Sequence, residues 1–185
     1  MKLIGNRISF VDDKSKTTIV IDPEKNFFVN GLMGAWLGMW YVIGLLVFWA
    51  LKVLVLKQQE VIILYVFISF WGYYAIKVSR AFFWLLYGKE LIKIDETSFQ
   101  IKRSILSYGK TVPYYFENIK KFKFEIPDKG SIQEIWESSP WVNGGERLSF
   151  EYFDKNVKFG RKLKEKDAKL LFNFIGKKIF ERTKK

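Results

Sequence analysis

Residues 31–51, GLMGAWLGMWYVIGLLVFWAL, run for 21 positions without a charged side chain. At about 1.5 Å of rise per residue this makes roughly 32 Å of α-helix, enough to cross the hydrocarbon core of a bilayer. Lys52 and Lys57 end the stretch, and KQQE (Lys57 to Glu60) reads as a tight polar turn. Residues 61–76 are again uncharged; Lys77 and Arg80 interrupt, and AFFWLLYG follows. The second helix is therefore expected to run from about Glu60 to Tyr87. Its last turns would lie among lipid headgroups, with Phe82, Phe83, Trp84 and Tyr87 as an interfacial aromatic belt. A cleaved leader is set aside, because the stretch is too long and does not begin the chain. A buried soluble hairpin is set aside too: a chain of 185 residues has little left to cover two helices that are apolar all round.

Basic residues near the span ends set orientation. Five Lys/Arg precede residue 31, two lie in 52–60 and 24 lie in 77–185. Both termini are thus expected on the cytoplasmic side of the membrane, in a multi-pass arrangement with the short turn outside. Lys77 and Arg80, three apart, share a helix face. They read either as a charged intramembrane site for an ion or a lipid headgroup, or as side chains that snorkel and anchor the span. Gly34 and Gly38 form a GxxxG step where a second helix can approach closely, either the chain's own second span or another copy.

The rest of the chain is strongly charged, and the net charge is +12. That field favours an anionic partner, here the acidic inner leaflet. The chain contains no Cys and no His. The first absence removes disulfides and thiolate metal sites; the second removes the commonest general base and metal ligand. No nucleophile with a base, phosphate loop or dinucleotide fingerprint appears, since NGGE at 143–146 lacks the lysine and helix a phosphate loop needs. No enzyme, no cofactor and no metal is expected. Basic strands with aromatics such as Tyr114, Tyr115, Phe122 and Phe124 would suit nucleic acid. Alternation turns about half of them inward, however, and no nucleic-acid partner is expected.

Before the first span, RISFVDDKSKTTIVID shows alternation, a turn at Asp12 to Lys16, and alternation again, a β-hairpin signal. A lone hairpin is barely stable, so it is expected to dock on the C-terminal sheet or on the membrane. After the second span, ELIKID, SFQIKRSIL, TVPYYF, ENIKKFKFEI, RLSFEYF and NVKFG read as six strands, with Pro113 marking an edge. Residues 127–146 read as a loop with an Asn-Gly turn dipeptide. Ala168, Leu171, Phe172, Ile175 and Ile179 then form one apolar helix face.

The run LLYGKELIKID…FENIKKFKFE…LSFEYFDKNVKFGRKLKEKDAKLL resembles the bacterial membrane-anchored proteins in which two spans precede a pleckstrin-homology-like (PH-like) domain, a family of unknown function. The resemblance covers residues from about 20 to 180. It implies an α+β protein of the bacterial inner membrane: a two-helix transmembrane hairpin plus a PH-like antiparallel β-barrel or sandwich capped by a C-terminal helix. The corresponding organisation is a cytoplasmic hairpin at 1–30, span 1 at 31–56, an external turn at 57–60, span 2 at 61–87 and the PH-like domain at 88–185. Leu163 and Lys164 stand where that family usually has a small or acidic helix cap.

For such a domain the functional question is anionic headgroups. Lys158, Arg161, Lys162 and Lys164 are candidate membrane-surface contacts with Lys77 and Arg80, each contributing on the order of 1 kcal/mol near an anionic leaflet. The plainer reading, and the favoured one, is a solvated basic face beside a negatively charged membrane. Trp136 and Trp141 in the 127–146 loop read either as a docking element, for a partner protein or the membrane, or as a cap folded over the barrel end. The expected role is a non-catalytic scaffold or accessory interaction module at the membrane surface. The alternatives are a structural subunit of a larger membrane complex or an anionic-lipid-binding module. The expected partners are membrane lipids and a membrane or cytoplasmic protein, or a second copy.

Overall fold

The structure, a computed structural model, describes residues 2–13, 15–142 and 144–183. Lys14 of the expected first turn and Asn143 of the Asn-Gly pair lie outside them. The chain forms two compact units, one of residues up to Glu24 with those from Tyr87 on, the other of Lys25–Leu86.

The sheet-rich unit begins with β1 (Lys2–Ile4), β2 (Ile8–Asp12) and β3 (Thr17–Ile21), and continues after the apolar helices with β4 (Gly88–Ile94), β5 (Ser98–Ile105) and β6 (Thr111–Tyr115). These six strands make one antiparallel sheet in sequence order. Its central joint is the pairing of β3 with β4: Thr17 faces Ile94, Ile19 faces Ile92 and Ile21 faces Glu90. The N-terminal hairpin is thus an integral half of the sheet, and the chain leaves that sheet and re-enters it at the neighbouring strand. A 3-10 turn at Phe116–Asn118 redirects the backbone into β7 (Ile119–Phe124), which pairs with β8 (Glu146–Tyr152) and then β9 (Lys155–Arg161) in a second sheet. The closing helix, α4, spans Glu165–Thr183.

Alternation dictates the core. Thr17, Ile19 and Ile21 of β3, and Gly88, Glu90, Ile92 and Ile94 of β4, are buried at every second position. Ile8, Phe99 and Ile101 join them from the large sheet, and Leu148, Phe150 and Phe159 from the small one. The Phe99 ring sits 5.6 Å from Phe150 and 5.4 Å from Phe159, joining the two sheets. Ala168, Leu171 and Ile175 of α4 are fully buried, and Phe172 stacks on Phe122 at 4.7 Å. The expected helix face is the observed one.

The expected barrel is corrected. The two sheets stay separate, with β6 ending one and β7 starting the other. The redirecting turn and the exposed β6, whose Pro113 has no N–H to donate, end the hydrogen-bonded ladder there. The loop expected at 127–146 contains a helix, α3 (Ile132–Ser138), started by Ser131, whose side chain accepts from the Glu134 N–H.

The apolar unit is a pair of helices, α1 (Phe27–Val53) and α2 (Gln58–Tyr87). Both begin earlier than their uncharged runs, because backbone hydrogen bonding continues through polar residues that supply caps. Asn26 accepts from the Val29 N–H, and Glu60 reaches back to the Lys57 N–H at 2.8 Å. Met33, Leu37, Val78, Ala81 and Leu85 are buried between the helices, with Trp36 and Phe82 packed against them. Trp40 and Trp71 each donate the indole N–H to the other's carbonyl, at 3.3 and 2.8 Å. Gly44 makes room for the Trp71 ring. Of the GxxxG pair, Gly34 faces the Phe82 ring, while a side chain at Gly38 would meet open space. Both helices are long and apolar enough to cross a membrane, and only 17% and 11% of their most apolar windows are buried.

Candidate functional site

One end of the sheet unit gathers the loops between β7 and β8 and between β9 and α4, beside a charge network that ties the two sheets together. Its centre is Glu90. The alternation that buries Ile92 and Ile94 also buries Glu90, whose side chain is 2% exposed. Its carboxylate accepts from Arg103 Nε at 3.1 Å, from the Gly160 N–H at 2.8 Å and from the Arg161 N–H at 3.2 Å. A β4 side chain thereby holds the backbone of β9, across the two sheets. Gly160 has φ +74°, and a methyl group there would press on Leu148 and Leu163.

Glu146 answers the cations around it. Arg161 donates to it through Nε and a terminal nitrogen at 3.2 and 3.1 Å, and Arg103 lies 3.6 Å away. Burial pushes the Glu146 carboxyl up, but Arg161, its own backbone amide and Arg103 together hold it below the ordinary carboxylate value. Lys162 is a second junction. Its N–H donates to the Gly145 carbonyl, its ammonium donates to the Ser139 carbonyl at 2.6 Å, and its carbonyl accepts from Arg7 at 2.7 Å. Burial, then the nearby Arg161 charge, lowers the Lys162 amine to about 8.

On this base sits α3. Its acidic side is turned toward the protein: Glu137 pairs with Arg147 at 2.9 Å, both side chains under a fifth exposed, and Glu134 accepts from the Gly130 N–H. Ile132, Ile135 and Trp136, spaced i, i+3 and i+4, occupy the other side and are 86%, 65% and 64% exposed. The helix therefore carries its polar face inward and its apolar face outward, the reverse of a surface helix that packs on a core. Two open clefts flank it. One, of about 320 Å³, is lined by Glu24, Ile126, Lys129, Glu134, Lys162 and Lys164 among others. The other, of about 250 Å³, includes Glu125, Gln133, Glu137, Arg147 and Lys158. Among the described residues no group of three or more His, Cys, Asp or Glu is placed to hold a metal ion.

The basic residues singled out from sequence fall into different environments. Arg161 and Lys162 are drawn into the protein's own carboxylate and carbonyls. Lys158 is half exposed and lies 3.6 Å from Glu125, and Lys164 is exposed. Lys77 and Arg80 are exposed on α2, the Lys77 ammonium 5.1 Å from the Tyr73 ring centre. Trp136 is exposed, and Trp141 is less so, at 37%. Glu90 and Arg103 are not among the residues that the sequence singles out. The signal was available, since GKELIKI places an acid in the inward register of Ile92 and Ile94. No family model, curated protein or solved structure matches the chain.

Proposed function

We propose that this protein is a non-catalytic scaffold of a bacterial inner membrane, in which α1 and α2 span the bilayer and the sheet unit is a PH-like module on the cytoplasmic side. One observation carries the reading: a pair of long, predominantly apolar helices is inserted between two hydrogen-bonded neighbours, β3 and β4, of one sheet. The module cannot form its central joint without bringing both ends of the pair to one place. The pair itself leaves Leu45, Ile63 and Phe70 each more than 60% exposed, and apolar surface in that amount is covered by lipid at little free-energy cost. The excess of Lys/Arg at the module side supports both termini being cytoplasmic. Several carboxylates of the two clefts are engaged by the chain's own cations, which supports a non-catalytic role: Glu137 is tied to Arg147, Glu146 to Arg161, and Glu125 lies near Lys158.

The test is fractionation followed by protease protection. The chain should stay with the membrane pellet after alkaline carbonate and dissolve only in detergent. Protease added to inverted vesicles should digest residues 88–183, and the same protease outside right-side-out vesicles should leave them intact. A chain that is soluble without detergent, or a module cut from outside, overturns the reading.

A further inference from the structure

We infer that the apolar face of α3 inserts into the lipid interface, making Ile132, Ile135 and Trp136 a second membrane contact that fixes how the module is presented. The inference rests on the membrane reading above and adds a site to it.

Covalent connectivity selects lipid as the occupant. β3 ends at Ile21, and Asp22 and Glu24 are bound through Arg7, whose Nε donates to the Asp22 carbonyl and whose guanidinium lies 3.8 Å from Glu24. Arg7 also donates to the Lys162 carbonyl, and Glu24 lines the same cleft as Lys129 and Glu134 at the foot of α3. Thus α3 stands at the end of the module from which the chain departs for the apolar helices. Between Glu24 and Phe27 there are three residue steps, at most about 11 Å of chain. On the return, α2 ends at Tyr87 and β4 starts at Gly88 with no linker. A bilayer that receives the helices is therefore within reach of this end of the module, at a high effective concentration.

The chemistry of the face agrees. Tryptophan and isoleucine on one side of a short helix match the apolar side of interfacial elements, while the acids on the opposite side are engaged within the module by Arg147 and the Gly130 N–H. The helix is also held rigidly for that task. Ser131 starts it, the Glu137–Arg147 pair ties its underside to β8, and Lys162 ties Ser139 to the β9–α4 turn. Ordering is already in place, so insertion need not fold the element. Lys129 and Lys164, both exposed, line the cleft below and face an anionic surface favourably.

The chain has no cysteine, so single cysteines can report on position in the full-length protein reconstituted into vesicles. Ile135→Cys, Lys155→Cys at the β8–β9 turn and Leu45→Cys in α1 each receive an environment-sensitive fluorophore. The vesicles are phosphatidylcholine alone, or phosphatidylcholine with phosphatidylglycerol, each with and without nitroxide lipid. The expected result is a blue-shifted emission at 135, quenched at least twofold by shallow nitroxides in both lipid mixtures, with 155 unquenched and 45 quenched by deep nitroxides. Quenching at 45 but not at 135 overturns the inference while leaving the anchor intact. No quenching at 45 overturns the anchor and the inference with it. Quenching at 135 only in the anionic mixture shows that cations, not the apolar face, hold the module to lipid, and also overturns the inference.

Discussion

Removing the Glu90 carboxylate should separate the two sheets energetically, and the structure permits the size to be worked out. In Glu90→Ala the N–H groups of Gly160 and Arg161 lose their acceptor, the first of them in a buried position. Each such orphaned group costs about 1–3 kcal/mol. Arg103 also loses a partner, but its side chain is 40% exposed and keeps Glu146 at 3.6 Å. Water and Glu146 reduce that part to at most about 1 kcal/mol. The total is about 2–7 kcal/mol. Glu90→Gln keeps the volume and one acceptor oxygen, and should cost about 1–2 kcal/mol through an amide NH₂ facing other donors. The assay is amide hydrogen exchange of the full chain in detergent micelles, read by mass spectrometry over peptides that include Gly160 and Arg161, with 61–76 as internal reference. Exchange at β9 should accelerate by roughly one and a half orders of magnitude or more in the alanine variant. An acceleration below tenfold, or equal effects of alanine and glutamine, would refute the claim that this carboxylate joins the sheets.

Further outcomes follow from other particular contacts. Gly44→Ala should destabilise the helical pair by about 1–3 kcal/mol, because a methyl group there meets the Trp71 ring. Gly38→Ala should be neutral or slightly stabilising, since that position is open; thermal unfolding in detergent distinguishes the two. Gly160→Ala should cost about 2 kcal/mol or more through its left-handed φ and the contact with Leu148, visible as a lowered midpoint of module unfolding. The Lys162 amine, lowered to about 8 in the folded state, releases its proton before an unfolded lysine does. The unfolded chain then binds more protons, so stability should rise with pH from about 8 toward the ordinary lysine value of 10.5. Lys162→Met should flatten that rise in denaturant titrations run across the window. Arg147→Ala should release α3 and make residues 127–142 cleavable by protease under conditions where the parent chain resists.

Local pattern determined a good part of this protein. The absence of charge over 31–51 and 61–76 specifies two long apolar helices. Alternation specifies β2 to β9, but not the three-residue β1, and the spacing of Ala168, Leu171 and Ile175 specifies the inner face of α4. These are one-dimensional signals, because burial on one side of an element repeats with that element's own period. Tertiary structure decided the rest. Nothing local says that β3 pairs with β4 across more than sixty intervening residues, or that the ladder stops at β6. Whether Arg161 and Lys162 face water or a carboxylate depends on where Glu146 and Ser139 arrive from elsewhere in the chain. In α3 the i, i+3, i+4 apolar triad was present in the sequence, but its outward orientation follows from Glu137 finding Arg147 on β8. Partner choice between distant groups is a property of the assembled fold; periodicity is a property of the chain.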